Sequence, residues 1–597
     1  MSATQGFAGV LGLCLLSVPA AAQVTSRVSV ATGGVQANGL SFGCAVSGDG
    51  RWVAFTSYAS NLVGLDANGT VGDVFVRDLL TGTTELASVS TGGVQGNAAS
   101  GLPSISADGR FVAFASDAGN LVSGDSNPYS DVFVRDRVAG TTELVSLDSS
   151  GVHGNCYSNA PAISADGRFI AFESCASNLV AGDTNGNWDI FVHDRLAGTT
   201  ERVSVSSAGA EANDHCSRAS ISADGRFVAF ESQAFTLVPG DGNMASDVFL
   251  RDRLSGSTVL VSVATAGTQG NQHSFRGALS ADGKFVAFGS YATNLVAGGT
   301  SGAGDVYVRD LQLGTTELVS IDPSGAPGNG NSGTPSISPD GQLIAFESGA
   351  SNLVGGDTNG KLDILLRDLH SGTTERISLS SAGGQGDADS YHPALCASGR
   401  WIAFESDATN LVVSDSNGSS DIFARDRGVP GFSSACEPGV GGVLACPCAN
   451  PPGAPGRGCD NSAGTGGAQL TASGFAYLSQ DTLVLQTSGQ LPADLSIVLQ
   501  GNAEISGGRV FGQGVRCAGG ALKRLYAKTS VSGGIAAPDT AVGDLAVSLR
   551  SAQLGDAIQA GESRWYLVYY RDPIVLGACP ATSTFNATQT GSVLWWP

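Results

Sequence analysis

Two textures of apolar and polar positions alternate along residues 41 to 426. Short unbroken apolar runs, such as Phe-Ile-Ala-Phe at 169–172, suit strands covered on both faces. Between them lie segments such as Glu-Leu-Val-Ser-Leu at 143–147, whose alternation suits a strand with one wet face. Both recur with a fixed period. SGDGRWVAFTS at Ser47 returns in close variants at Ser106, Ser164, Ser222, Ser280, Ser338 and Cys396, spaced by 59 and then five times by 58 residues. In phase with it, DVFVRD at Asp73 returns at Asp131, Asp189, Asp247, Asp305, Asp363 and Asp421. A third element is TTELVSL at Thr141 to Leu147 and its relatives. Such self-similarity marks a repeat architecture.

Each unit predicts four strands. Strand A ends at a Ser-x-Asp-Gly turn that suits a tight hairpin. Strand B is the apolar run, strand C is DVFVRD, and strand D alternates. Strands buried inside and half-exposed outside are what a propeller blade needs, because blades pack face to face around an axis. The ends of the array are out of phase. A D-type strand, Thr25 to Val30, precedes the first strand A, while the last strand C, Ile422 to Asp426, has no strand D after it. The N-terminal strand is therefore expected to complete blade seven and close the ring, removing an exposed edge. An open stack would need capping repeats instead. The expected fold is all-β: a seven-bladed β-propeller plus a C-terminal β-sandwich-like domain.

The S-x-DG-[RK]-x-[VI]-AF unit followed by D-[VI]-[FY]-V-x-D resembles the TolB-like β-propeller repeat, related in architecture to WD-type propellers. The resemblance covers about residues 25 to 427. It implies the propeller fold and, for function, binding and scaffolding, although fold does not set function. TolB-like propellers are often six-bladed, so seven copies are a departure. Sialidase-type propellers carry S-x-D-x-G-x-x-W turns; here Gly follows Asp directly, which departs from that pattern.

Composition narrows the partners. The net charge is −22, with only four lysines, so phosphate backbones and anionic membrane surfaces are poor partners. Residues 1 to 22 read as a secretory signal, with an apolar stretch from Gly6 to Val18 and Ala20-Ala-Ala22 before Gln23. Leu13 precedes Cys14 where a lipoprotein signal wants a small residue, so no lipid anchor is expected. The mature protein is expected to be a secreted or periplasmic monomer, without membrane insertion, in a compartment where disulfides persist. The expected domains are the signal peptide 1–22, the propeller 23–431, a Cys/Pro/Gly-rich connector 432–465 and the C-terminal domain 466–597.

The A–B and C–D turns are short and fall on one face; the B–C and D–A loops are longer and fall on the other. Long loops on a rigid scaffold are where binding usually resides. The B–C loop recurs as DANGTVGD (Asp66), DSNPYSD (Asp125), DTNGNWD (Asp183), DGNMASD (Asp241), DTNGKLD (Asp357) and DSNGSSD (Asp415), and decays to GTSGAGD at Gly299. Oxygen side chains at alternate positions resemble a calcium loop, with Asp183, Asn185, Asn187 and Asp189 the best candidate ligands. Calcium wants 6–8 oxygens and each loop offers about three side chains. An Asx-type turn stiffening a long loop is the favoured reading. Calcium is the single cofactor considered.

No HExxH or paired-His zinc pattern is present among the six histidines. Gly39-Leu-Ser41-Phe-Gly43 and the glycines from Gly328 to Gly333 match catalytic and dinucleotide motifs without their strand–turn–helix context. His193, at an arginine position of strand C, reads as a structural variant. Glu173, Glu231, Glu347 and Glu405, following strand B, are expected either to face the long-loop rim or to pair with strand-C arginines, the second being favoured. No catalytic or cofactor-binding residue is assigned.

Cys156 and Cys175 fall opposite each other across the A–B hairpin of blade three, with Cys216 a competing partner. Cys436, Cys446, Cys448, Cys459, Cys517 and Cys579 leave fifteen disulfide pairings open. Beyond 466, TLVLQTSG, LSIVLQG, RWYLVYYRD and SVLWWP read as strands. Trp565, Tyr566, Tyr569, Tyr570, Trp595 and Trp596 are more naturally core than a sugar-stacking platform. The expectation is a non-enzymatic binding or scaffold protein whose long-loop face takes a protein or glycan. The rival is a carbohydrate-active or peptide-cleaving hydrolase using carboxylates at the propeller mouth.

Overall fold

The computed structural model describes residues 23–595 except 65, 126, 298–301, 428–431, 437, 439–442, 447–449, 454–456, 463, 466, 474–475, 477–480, 482, 492, 512, 540–542, 560–561 and 573–584. The signal peptide read at 1–22 lies outside the described residues. Seven four-stranded antiparallel sheets form the seven blades. In blade three, for example, A is Ser158–Ile163, B Phe169–Ser174, C Asp189–Asp194 and D Thr199–Arg202. Blade seven has A (Ser390–Leu395), B (Trp401–Ser406) and C (Asp421–Asp426) from its own repeat. Its outer strand is Val24–Arg27, antiparallel to C, with Val24 opposite Asp426 and Arg27 opposite Phe423. The ring is closed as the out-of-phase ends require.

Apolar faces of neighbouring blades make the core. Val132 and Val134 of blade two pack with Ile170, Phe172 and Phe191 of blade three. At the closure Val53, Phe55 and Phe75 of blade one pack with Ala403, Ile422 and Ala424 of blade seven and with Val28. The seam is thus built like every other junction, and burial of such side chains contributes roughly 1.5–3 kcal/mol each.

The Ser-x-Asp-Gly turn joins hairpin to ring. Asp166 accepts hydrogen bonds from the Ser164 hydroxyl (2.7 Å) and the Arg168 N–H (2.9 Å). Gly167 has φ +74°, and a Cβ there would lie 2.2 Å from the Phe111 ring of the preceding blade. Gly225 meets Phe169 in the same way at 2.2 Å, and Gly50 meets Trp401 across the seam at 2.7 Å. Glycine is required twice at this position, for its backbone and for the approach. The following arginine grips the last residue of strand C: Arg168 donates to both oxygens of Asp194 at 2.9 and 2.6 Å. Arg195 then lies 4.4 Å from the centre of the Phe111 ring and pairs with Glu143, both in the preceding blade's sequence. His193 stands where other blades have arginine; its Nδ1 bonds the Thr200 hydroxyl at 2.9 Å, as Arg135 does Thr142 at 3.1 Å.

Cys156 and Cys175 are disulfide-bonded, and Cys216 is a buried free thiol. Cys446 bonds Cys459, and Cys517 is also disulfide-bonded. In the C-terminal region the central sheet runs Phe432–Cys436, Thr590–Leu594, Ser563–Arg571, Leu495–Gly501, Lys523–Thr529, with Phe585–Ala587 beside Ser563–Arg571. Segment 432–436, read as connector, is therefore an edge strand of this sheet. One face is covered by the sheet Gln469–Ser473, Val484–Ser488, Ala536–Ala537 and the short helix Val547–Gln553. The hairpin Ala503–Phe511 and Gly514–Gly519 packs on the other, placing Phe511 and Ala518 against Leu499 and Leu567. The alternation seen in sequence misses the helix and this hairpin, both rich in glycine, serine or charge. Tyr566, Tyr570 and Trp595 are fully buried, so these three are core; Trp596 lies outside the described residues.

Two outcomes test this architecture. Gly225→Ala should cost about 2–4 kcal/mol, strain plus overlap. Gly198→Ala, at φ +64° with nothing within 4 Å, should cost only about 1 kcal/mol; equal losses by chemical denaturation would remove the ring contact from the account. Arg168 holds Asp194 down at a pKa of about 2, and Arg110 and Arg226 likewise lower Asp136 and Asp252. Folded values below the unfolded value of about 3.9 mean a contribution present above about pH 4 and lost as pH falls toward 2. Melting temperature should therefore hold to about pH 4 and fall steeply below it.

Candidate functional site

Two constellations lie at the long-loop side of the ring. The first lines the axis. Every strand A opens on a residue pinned to the end of strand B, as Ser158 is to Ser174 at 2.9 Å and Ser332 to Ser348 at 2.8 Å. Two residues on, each strand A is bulged, and the residue in the bulge takes a left-handed backbone. These are Gly43, Leu102, Ala160, Arg218, Arg276, Thr334 and His392, with φ from +47° to +61°. Six of the seven are not glycine, and such residues cost of order 1–3 kcal/mol each unless their surroundings hold them. All seven line one axial cavity of about 1030 Å³, which reaches Leu40 and Tyr58 at the long-loop end of blade one.

The recurrent glutamates hold the bulges. Glu173 accepts the Arg218 N–H (3.0 Å), Glu231 that of Arg276 (2.9 Å), Glu347 that of His392 (3.2 Å) and Glu405 that of Gly43 (3.4 Å). Each bond crosses from one blade to the next. The expected pairing with strand-C arginines is corrected: Glu231 stands opposite Val248 at the long-loop end of the B–C ladder, whereas Arg251 stands opposite Val228, three residues away. The second oxygens of Glu231 and Glu347 take bulge side chains, Arg218 at 3.1 Å and the Thr334 hydroxyl, which donates at 2.7 Å, while His392 Nδ1 lies 3.3 Å from the Glu405 oxygen that accepts the Gly43 N–H. Burial raises the Glu173 carboxyl above its ordinary value.

The lining is lopsided. Blades one to three contribute Leu40, Phe42, Leu102, Pro103 and Pro161, while blades four and five, opposite blade one in a ring of seven, contribute Arg218 and Arg276. Among the described residues the Arg276 guanidinium has no hydrogen bond or ion pair; burial and the neighbouring Arg218 hold it below the usual arginine value. Sequence reading passed over this ring. Its signal was the bulge position itself, where Gly, Leu, Ala, Arg, Thr and His replace one another while the first residue of the strand stays Ser or Cys and the last stays apolar.

The second constellation is the B–C loop. In blade three Asp183 and Asp189 converge, but on Arg202, whose Nη1 lies 3.1 and 3.4 Å from their oxygens. Asn185 donates to Asp189 at 2.8 Å and accepts the Asn187 N–H at 2.8 Å, an Asx turn; Asn187 contributes that backbone group. Ser204 donates to the other Asp189 oxygen at 2.5 Å. A guanidinium stands where a calcium ion would, so this donor set does not fit calcium.

The other blades solve the same problem with different donors. Gln95 donates to Asp66 and Asp73 at 3.0 and 2.7 Å, and Gln269 to Asp241 and Asp247 at 2.7 and 2.9 Å. Arg376 lies 3.2 and 3.5 Å from Asp357 and Asp363. At the seam Gln36 donates to Asp415 and Asp421 at 2.8 and 3.0 Å, with Arg27 beside it. Asp189, Asp247, Asp363 and Asp421 are all raised by burial. Blade five has lost the first aspartate to Gly299 and carries Pro327 at the glutamine position. Blade five thus lacks both the first carboxylate and the bridging donor.

No family model matches the chain, and no curated protein does. Solved structures do. A putative TolB from Agrobacterium tumefaciens is 19% identical, covering 48% of this chain and 86% of that one, with a TM-score of 0.29. TolB from Acinetobacter baumannii is 16% identical over 55% and 77%, with a TM-score of 0.29. A prolyl endopeptidase structure is 12% identical over 75% of this chain and 54% of that one, with a TM-score of 0.39. TolB proteins are thus among the structures the chain resembles, and the likeness concerns the fold alone.

Arg202→Ala should cost about 3 kcal/mol, because it leaves buried carboxylates facing one another. Arg202→Leu combined with Glu211→Gln rebuilds the arrangement of Leu86 and Gln95 in blade one and should recover most of that loss. The wild type's melting temperature should not move between millimolar calcium and chelator; a rise of several degrees would return these loops to calcium.

Proposed function

We propose that this is a secreted or periplasmic, non-enzymatic binding or scaffold protein that takes a protein or glycan at its long-loop face and axial mouth. The observation that carries the reading is the lopsided mouth: a half-buried Arg276, whose guanidinium makes no hydrogen bond among the described residues, opposite an apolar wall of Leu40, Phe42 and Leu102. A ligand with an apolar group at one end and an acidic group at the other would meet both. Cavities of this size hold drug-sized ligands or a short chain segment. Two disulfides, Cys156–Cys175 and Cys446–Cys459, support an oxidising compartment. Among the described residues no helix is long and apolar enough to cross a membrane.

One observation favours the hydrolase as a second reading: Glu173, Glu231 and Glu405, from three blades, reach the same cavity as Arg218, Arg276 and His392. Against it, each glutamate is engaged by the next blade's bulge N–H. The deciding experiment is a glycan array and a peptide-library selection on the full chain, repeated with Arg276→Gln and Leu102→Asp. Selected ligands should carry an acidic group and lose at least tenfold in affinity to each variant. Ligands indifferent to both variants, or turnover of a glycan or peptide that Glu231→Gln abolishes, would replace the binding reading.

A further inference from the structure

Blade two keeps its carboxylate pair without the donor that the pair has elsewhere. In blades one, three, four, six and seven one glutamine or arginine side chain has nitrogens within 3.5 Å of both aspartates. Blade two carries Leu144 at the arginine position and His153 at the glutamine position. His153 Nδ1 stands 3.9 Å from the nearest Asp125 oxygen, beyond hydrogen-bond range. That Asp125 oxygen is buried and accepts no hydrogen bond, and the Asp125 side chain is 4% exposed. A neutral imidazole offers one donor nitrogen at most, and Nδ1 alone cannot bridge two carboxylates as a glutamine amide or guanidinium does.

We propose that blade two binds one divalent first-row transition-metal ion, held by Asp125, Asp131 and His153. One atom from each of the three lies within 4.8 Å of the others. Zinc–ligand bonds of about 2.0–2.2 Å place ligand atoms roughly 3–4 Å apart, so small side-chain rotations close the site. Asp131 is already aimed. Its oxygens accept from the Asn127 amide and the Ser146 hydroxyl, each at 2.6 Å, the kind of outer contact that orients a ligating carboxylate. The His153 backbone is anchored, its carbonyl accepting from Asn178 at 2.8 Å. The His153 side chain is 28% exposed, leaving an entry path and room for water as a further ligand. An imidazole with two carboxylates suits zinc or manganese and does not suit calcium, which takes oxygen. The ion supplies the positive charge that glutamine and arginine dipoles and charges supply in the other blades.

The repeat itself provides the control variants. His153→Gln copies Gln95 and Gln269, and Asp125→Gly copies Gly299 of blade five. Metal-stripped full-length protein should bind zinc(II) by calorimetry and melt higher with it. His153→Gln, folded by circular dichroism, should lose one equivalent of zinc or bind it at least tenfold more weakly, with no drop in its metal-free melting temperature. Asp125→Gly should weaken zinc to the same degree and serves alone if the first variant does not fold. No zinc binding by the wild type at millimolar concentration, or unchanged stoichiometry and affinity in a folded variant, overturns the proposal.

Discussion

Antiparallel pairing between Val24–Arg27 and Phe423–Asp426 turns a row of blades into a ring, and the other contacts presuppose it. Without that strand, blade seven would present strand C as a bare edge and Ile422 and Ala424 would lose their cover in the seam cluster. The polar side of the seam is equally specific. Thr25 receives a hydrogen bond from Arg425 at 2.8 Å and Ser29 donates to Asp421 at 2.6 Å. These are the contacts that Thr142 and Ser146 make inside blade two. The closing strand therefore copies an ordinary outer strand group by group.

The ring also explains where variation is tolerated. Positions that fix the blade and its junction vary little within the chain: the turn glycine against the neighbouring blade, the arginine on the last aspartate of strand C, the serine pin between A and B. Positions facing the axis or the long-loop rim are not. At the bulge the seven copies use six residue types, and at the donor position they use Gln, His, Glu and Pro. Where Glu211 replaces glutamine, Arg202 replaces leucine and supplies the missing positive charge. Neighbouring sites thus compensate within a single blade, which marks the loop carboxylates as a stability element that needs a positive or donor group above it.

Much of the propeller was legible because its signal is repeated seven times. Strand type, turn chemistry, blade number and the closing segment all follow from the phase of two motifs. The paired Cys156 and Cys175 were legible from their distance to one turn. The axial site was not, because alternation marks which residues face inward but not that a bulge turns one of them into the channel. The glutamates were misassigned for the same reason: their partners are backbone N–H groups of another repeat, which no side-chain pattern records. In the loop of blade three the oxygen spacing was visible, whereas the guanidinium filling it comes from a strand 13 residues further on. The C-terminal region lacked a repeat to average over, so its helix and glycine-rich hairpin stayed hidden.

Blade one carries one residue more than its fellows between Asp66 and Asp73, and blade five has shed its first loop aspartate, yet strands B and C keep the same register in both. The pairing of strands B and C thus tolerates a change in loop length or loop carboxylate. Lineages inheriting such a chain are free to rewrite surface loops for new molecular targets by small insertions and exchanges, one blade at a time, without refounding the barrel of sheets that carries them.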